Sequence, residues 1–162
     1  MISPSVRQNE AGLVSTFARF WLPALVWMAV IFSASADGQS ARHSSLFFEP
    51  LLHWLFPQMP RAQIDAIHFA FRKCCHVTEY ALLAWLFWRA IRRPVKNDPR
   101  PWICPEAGLA LALVFLYAGS DELHQAFVPT RTAQVSDVLV DTSGGTAALA
   151  LLWLRHKILK PG

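Results

Sequence analysis

Four long apolar runs alternate with polar connections along the chain. A bilayer core of about 30 Å requires roughly 20 residues of helix, and each run comes close to that length. The pattern therefore predicts an all-α fold, an integral membrane bundle of about four transmembrane helices. The predicted spans lie at about residues 17–35, 74–91, 106–121 and 135–154, within a single domain that covers residues 1–162.

The connection between the first two predicted spans is apolar but too short to span a membrane. Residues 45–58, SLFFEPLLHWLFPQ, are interrupted by Pro50 and Pro57 and predict a short interfacial helical segment. Residues 61–72 then carry apolar side chains at helical spacing, which predicts a surface helix that leads into the second span.

Two interpretations of the first apolar run remain open. Its length is sufficient for a transmembrane helix. However, a basic N-terminal region, an apolar stretch and the triplet Ala34-Ser35-Ala36 also resemble a signal peptide with its cleavage site. Either interpretation leaves the three later spans in the same orientation.

Composition supports a membrane protein and excludes several other classes. Charged residues make up 16% of the chain, against about 25% in an average soluble domain, and hydrophobic residues make up 54%. The net charge is +4, but the basic residues lie mainly between apolar runs, so no nucleic-acid partner is predicted. The three cysteines lack disulfide-framework or metal-ligand spacing.

The distribution of Lys and Arg predicts the orientation in the membrane. Ten of these residues lie in the two terminal tails and the connection between spans two and three, against five in the other two connections. Because basic connections stay on the cytoplasmic side, both termini should be cytoplasmic. Residues 36–73 and 122–134 should then face outward.

Polar side chains that are costly inside a membrane are concentrated at the outward ends of three predicted spans. A charge at the centre of a lipid-facing helix costs about 2.5–3.5 kcal/mol, so such residues usually face a protein interior or a watery cavity. Three separate regions therefore predict one outward-facing polar site. Its candidate residues are Lys73, His76, Tyr80, Asp121, Glu122, His124, Gln125, Arg131, Asp137 and Asp141.

These residue types suggest acid–base chemistry and recognition of an anion. Imidazole titrates near neutral pH, and basic side chains can hold a phosphate. The candidate catalytic residues are His76, Glu122, His124 and Asp137, and the candidate substrate-binding residues are Lys73, Tyr80, Asp121, Gln125, Arg131 and Asp141. No strong metal signature such as HExxH is present, and neither a metal nor a cofactor is predicted.

Two stretches resemble the VanZ-like family of bacterial membrane proteins. They are RKCCHVTEYALLAWL at residues 72–86 and YAGSDELHQAFVPTRTAQVSDVLVDTSGG at residues 117–145. The resemblance implies a multi-pass protein of the bacterial inner membrane, from a family named for a member linked to teicoplanin resistance. The family's characteristic polar positions correspond to Lys73, His76, Tyr80, Glu122, Gln125, Arg131, Asp137 and Gly145. Asp141 stands where many relatives carry Asn.

The sequence leaves three functions open, and with them the question of whether the protein is an enzyme. The favoured one is a site that recognises an anionic cell-envelope lipid or a glycopeptide-related substrate and affects envelope or antibiotic tolerance. The second is a small lipid or proton-coupled transporter, since ionisable residues within membranes often mark transport paths. The third is a non-catalytic envelope protein whose polar cluster is structural. The oligomeric state is open as well.

Overall fold

Five helices form the part of the chain that the structure describes. The structure is a computed structural model that describes residues 4–36, 49–96, 98, 100–127 and 134–159. Within these ranges there is no β-strand. The helices are α1 (Pro4–Ala36), α2 (residues 49–55), α3 (Arg61–Arg92), α4 (Cys104–Gln125) and α5 (Val135–Leu159). The all-α prediction is confirmed.

The four long helices alternate in direction through the bundle. Tyr80 of α3 contacts Asp121 of α4, whereas Arg92, further along α3, contacts Glu106, which is earlier in α4. These two helices are therefore antiparallel. The pairs between α3 and α5 advance in the same direction along both helices, so α5 runs parallel to α3. This alternation is the arrangement that consecutive crossings of a membrane require.

Two of the helices are candidate membrane spans. Segments Ser15–Ser35 of α1 and Val135–Leu159 of α5 are long and apolar enough to span a bilayer by length and composition. Helices α3 and α4 do not meet that standard, because α3 has many charged residues and α4 has carboxylates near both ends. The prediction of a four-span bundle is therefore not confirmed.

Helix α3 joins two elements that the sequence pattern separates. The predicted surface helix and the second predicted span form one continuous helix of 32 residues. No Pro or Gly occurs between Arg61 and Arg92 to break it. At 1.5 Å per residue the helix is about 48 Å long, which exceeds the roughly 30 Å core of a bilayer.

The bundle is held together by small and apolar residues. Ala84, Ala110, Val114 and Ala118 are fully buried where α3, α4 and α5 meet. Gly144 of α5 lies so close to α3 that a Cβ atom added to it would be 2.3 Å from a backbone carbonyl oxygen. Small residues allow this close approach, which strengthens helix packing in membranes.

Two partly buried hydrogen bonds are among the polar contacts that attach helix α1 to the bundle. The Trp27 indole donates to the carbonyl oxygen of Glu79 on α3 at 2.9 Å. The Tyr117 hydroxyl of α4 donates to the carbonyl oxygen of Met28 at 2.5 Å. Signal-peptide cleavage would remove both contacts from the mature protein.

The predicted interfacial segment lies partly outside the described residues. Its residues 49–55 form α2, and Leu51, Trp54 and Phe56 on this segment are exposed. An ion pair of 3.2 Å joins Glu49 to Arg61 at the start of α3. The location of α2 at the membrane interface stays a prediction.

Candidate functional site

Two ion pairs join α3 to α5 at the end of the bundle where α5 begins. The Lys73 ammonium donates to the carboxylate of Asp137. His76 Nδ1 lies 3.6 Å from Asp141 Oδ1. Residues three and four apart share one face of a helix, which places both pairs in the same interface. The sequence-derived spacing thus brings together four predicted site residues.

The His76–Asp141 pair combines a buried carboxylate with a partly accessible imidazole. The Asp141 side chain is 3% exposed, whereas that of His76 is 25% exposed. A carboxylate close to one ring nitrogen can orient the ring and stabilise its protonated form. This arrangement suits a group that gives or accepts a proton.

Asp121 is the centre of a second network, which connects three helices. Its Oδ2 accepts hydrogen bonds from Ser35 of α1 at 2.8 Å, from Tyr80 of α3 at 3.3 Å and from Gln125 of α4 at 3.0 Å. Asp121 is only 2% exposed. Its other oxygen, Oδ1, is buried and finds no hydrogen-bond donor among the residues described. That oxygen is therefore an acceptor without a donor inside the described part of the bundle.

Glu122 closes the site on the side of α5. Its Oε2 accepts a hydrogen bond of 2.9 Å from the backbone amide of Gln134, immediately before α5. Glu122 is buried despite its charge. This contact fixes the start of α5 relative to the end of α4.

Two predicted site residues are not joined to these networks by the contacts described. His124 packs its ring against Phe32 of α1, with ring centroids 4.5 Å apart. Arg131 lies outside the described residues. Their roles in the site stay predictions.

Carboxylates outnumber cations in the described part of the site. Its acidic residues are Glu79, Asp121, Glu122, Asp137 and Asp141, and its Arg and Lys residues are Arg72 and Lys73. No group of three or more His, Cys, Asp or Glu side chains among the described residues is placed to hold a metal ion. The positive charge of the site is therefore concentrated at one edge of α3.

The sequence interpretation missed Ser35 and Gln134. In the sequence Ser35 forms part of a possible cleavage site, whereas in the structure it is 4% exposed and bonded to Asp121. Gln134 contributes through its backbone amide, so its side-chain type carried no signal. The position of Ser35 at the outward end of the first predicted span was the one available indication.

The comparison with family models gives a match to VanZ/LLP1 over residues 20–156. The chain belongs to the VanZ/LLP1 family. No curated protein and no solved structure matches the chain. Family membership and the two apolar helices together support a VanZ-like membrane protein with an envelope-related or resistance-related role.

The VanZ/LLP1 match includes every residue of both networks. It begins at residue 20 and so includes most of the apolar part of α1. Ser35 of α1 therefore belongs to the same matched region as Asp121, with which it forms a hydrogen bond. The residues of the site thus come from several helices within the matched region.

Replacing Ser35 with alanine should weaken the attachment of α1 in this VanZ/LLP1 protein. Asp121 would lose one of its three donors, and a hydrogen bond to a charged group contributes about 1.5–3 kcal/mol. The expected result is a lower unfolding temperature in detergent and lower membrane abundance.

The matched control is Ser33→Ala on the same helix. The Ser33 hydroxyl is exposed and donates to the carbonyl oxygen of Ala29 within α1, with no hydrogen bond to another helix among the described residues. The control variant should unfold like wild type. Equal unfolding temperatures for both variants would contradict a structural role for the contact between Ser35 and Asp121.

Proposed function

We propose that the polar site binds the head group of an anionic cell-envelope lipid or a glycopeptide-related substrate at the outward-facing surface of the inner membrane. In this proposal His76 transfers a proton to or from the bound head group, and the protein thereby affects envelope or antibiotic tolerance. The observation that carries the proposal is the pairing of a partly accessible His76 with the buried carboxylate of Asp141.

The geometry around His76 supports proton transfer. Asp141 approaches Nδ1, and the His76 side chain is 25% exposed, so part of the imidazole is accessible to a substrate. General acid–base catalysis by a positioned side chain contributes about 10²–10⁴-fold to a rate. Asp141 acts in this scheme as a positioning residue, and His76 is the group that touches the substrate.

The anionic preference rests on the basic edge of α3. Lys73 is about a quarter exposed, and Asp137 holds its ammonium group in a defined position. Arg72 precedes it in the chain, and Arg131 follows in the connection to α5. Phosphate oxygens form strong charge-assisted hydrogen bonds with such groups.

Replacing His76 with glutamine should abolish the tolerance phenotype while the protein stays in the membrane. Glutamine keeps polarity and approximate size but cannot be protonated near neutral pH. The measurement is drug and envelope-stress susceptibility of expressing cells, divided by membrane abundance. The expected loss of activity per molecule is at least roughly 10²-fold, the lower end of the range for acid–base groups.

The control for this experiment is His53→Gln, which changes an exposed histidine on α2. His124→Gln tests the second histidine predicted from the sequence. A phenotype retained by His76→Gln at normal abundance would remove the proposed proton transfer. A loss of the phenotype in His124→Gln alone would assign the proton transfer to His124, on the face of α4 that contacts α1.

A structural role for the cluster is the second candidate, and the Asp121 network favours it. Three helices meet at one buried carboxylate oxygen, which is what a structural connection requires. In that case Asp121→Asn and Asp137→Asn should lower membrane abundance and leave the activity per molecule unchanged. The normalised assay described for His76 separates this outcome from a loss of function.

A further inference from the structure

The end of the bundle opposite the polar site contains a cavity with aromatic and apolar walls. It lies between the C-terminal ends of α3 and α5 and the connection from α3 to α4, and its volume is about 220 Å³. Trp85, Trp88 and Trp102 line it, together with Leu152 and Leu159. The proposed function uses none of these residues.

The aromatic wall has a defined geometry. The rings of Trp88 and Trp102 are stacked, with centroids 5.6 Å apart and an angle of 16° between their planes. The Arg92 guanidinium lies 5.7 Å from the centroid of the Trp88 ring. It also donates to the carbonyl oxygen of Pro101, the residue before Trp102, at 3.0 Å. Arg92 thus holds the two tryptophans together.

Positive charge predominates around this cavity. Residues 88–106 and 150–159 contain seven Lys and Arg residues but only two carboxylates, Asp98 and Glu106. Both carboxylates bind Arg92, and Asp98 also binds Arg100. Arg155 lines the cavity, is exposed, and forms no ion pair within the described part of the chain. The cavity therefore presents a cation that an anionic group can approach.

Trp88 adds a hydrogen-bond donor that is not used. Its indole Nε1 atom is buried and finds no acceptor among the described residues. The indole N–H usually has a partner when it is buried. Phosphate and ester oxygens are acceptors of the kind that this donor lacks.

We propose that this cavity binds an acidic phospholipid of the bilayer. The head-group phosphate contacts Arg155, and the glycerol and the first part of an acyl chain lie against the tryptophan and leucine wall. Basic pockets between membrane helices bind anionic head groups, and tryptophan favours the membrane interface. The apolar wall distinguishes a lipid from a free phosphate, because only the lipid would bury that surface. This site and the polar site lie at opposite ends of the bundle.

Thermal unfolding of the purified full chain in detergent tests the proposal. Phosphatidylglycerol should raise the unfolding temperature in a saturable manner, and phosphatidylcholine with the same acyl chains should not. Arg155→Gln should weaken the apparent affinity for phosphatidylglycerol roughly tenfold, as expected for the loss of one charge-assisted hydrogen bond.

Lys157→Gln is the matched control for charge. Lys157 is two residues further along α5, does not line the cavity, and has its ammonium group 4.4 Å from the centroid of the Trp153 ring. The control should keep the wild-type response. Leu159→Trp, which fills the cavity without changing its charge, should reduce the response as Arg155→Gln does.

Three results would each overturn the proposal. The first is equal stabilisation by phosphatidylglycerol and phosphatidylcholine. The second is an equal loss of affinity in Arg155→Gln and Lys157→Gln, which would indicate general attraction to a basic surface. The third is that inorganic phosphate at the same concentration reproduces the stabilisation, because the lipid wall would then have no part in binding.

Discussion

Replacing Gly144 with alanine should force α3 and α5 apart and remove most of the folded protein from the membrane. The added Cβ atom would be 2.3 Å from the carbonyl oxygen of Val77 and 3.0 Å from its Cα and carbonyl carbon atoms. These are backbone atoms of a helix, so no side-chain rotation can relieve the clash. Overpacking typically costs about 1–3 kcal/mol and occasionally more, and we expect the upper end of that range.

The separation of the two helices would also disturb the polar site. The ion pairs of Lys73 with Asp137 and of His76 with Asp141 cross the same interface, within two turns of Gly144. The measurement is thermal unfolding followed by helical circular dichroism, together with membrane abundance. Both should fall.

Other glycines of the chain provide graded controls for this change. A Cβ atom on Gly119 of α4 would have no heavy atom within 4 Å, so Gly119→Ala should be neutral or slightly stabilising. A Cβ atom on Gly145 would be 3.1 Å from a side-chain carbon of Val114, which can move, so its cost should be intermediate. Equal behaviour of the Gly144 and Gly119 variants would contradict the close packing of α3 on α5.

Replacing Arg92 with glutamine should destabilise the opposite end of the bundle by about 3–5 kcal/mol, the range for removal of one partner from a buried ion pair. Arg92 is 4% exposed. Its guanidinium donates to Asp98 at 3.2 Å, to Glu106 at 2.9 Å and to the backbone carbonyl oxygen of Arg100 at 2.7 Å. Glutamine would leave Glu106 without its cation and would release the connection from α3 to α4.

The pKa of Asp98 reflects the ion pairs that hold the connection from α3 to α4. Side-chain hydrogen bonds from Arg100 keep the pKa of Asp98 well below its usual range, and Arg92 contributes in the same direction. Because the pKa is lower in the folded protein, this stabilisation is complete above the unfolded value of about 3.9. The stabilisation is lost only as the pH falls below the unfolded pKa toward the lower pKa of Asp98 in the folded protein. Arg92 therefore finds its acidic partner charged at neutral pH.

Lys96→Gln is the matched control for the Arg92 variant. It removes the same charge from the same connection, but Lys96 is exposed and its loss should change stability by less than about 0.5 kcal/mol. Unfolding temperature in detergent is the measurement for both. Arg92→Lys should be intermediate, because a single ammonium group keeps the charge but cannot reproduce the planar fork. A wild-type unfolding temperature for Arg92→Gln would contradict the buried role of this residue.

The helical architecture and most of the polar site could be predicted from spacing. Lys73 and His76 are three residues apart and Asp137 and Asp141 are four apart, so each pair lies on one face of its helix. Once both faces contain costly polar groups, their pairing across an interface is the natural outcome in an apolar environment. The ion pairs of the structure follow this expectation.

The boundaries of the helices were predicted less well. Local polarity separated residues 61–72 from the span that follows, but helix continuity depends on the backbone rather than on polarity. The number of membrane crossings is a related case. The charged residues near both ends of α4 shorten its apolar part, so composition alone gives it a weak signal as a span.

Sequence by itself determined the helical class, the convergence of polar residues at one end and the resemblance to a family that the comparison then confirmed. Those properties depend on residue type and on spacing within one helix. Only the tertiary structure decided that Ser35 bonds to Asp121, that Gly144 meets the Val77 carbonyl, and that Arg92 orders a tryptophan-lined cavity. Each of these contacts depends on the rotation and separation of packed helices, which residue spacing along one chain does not specify.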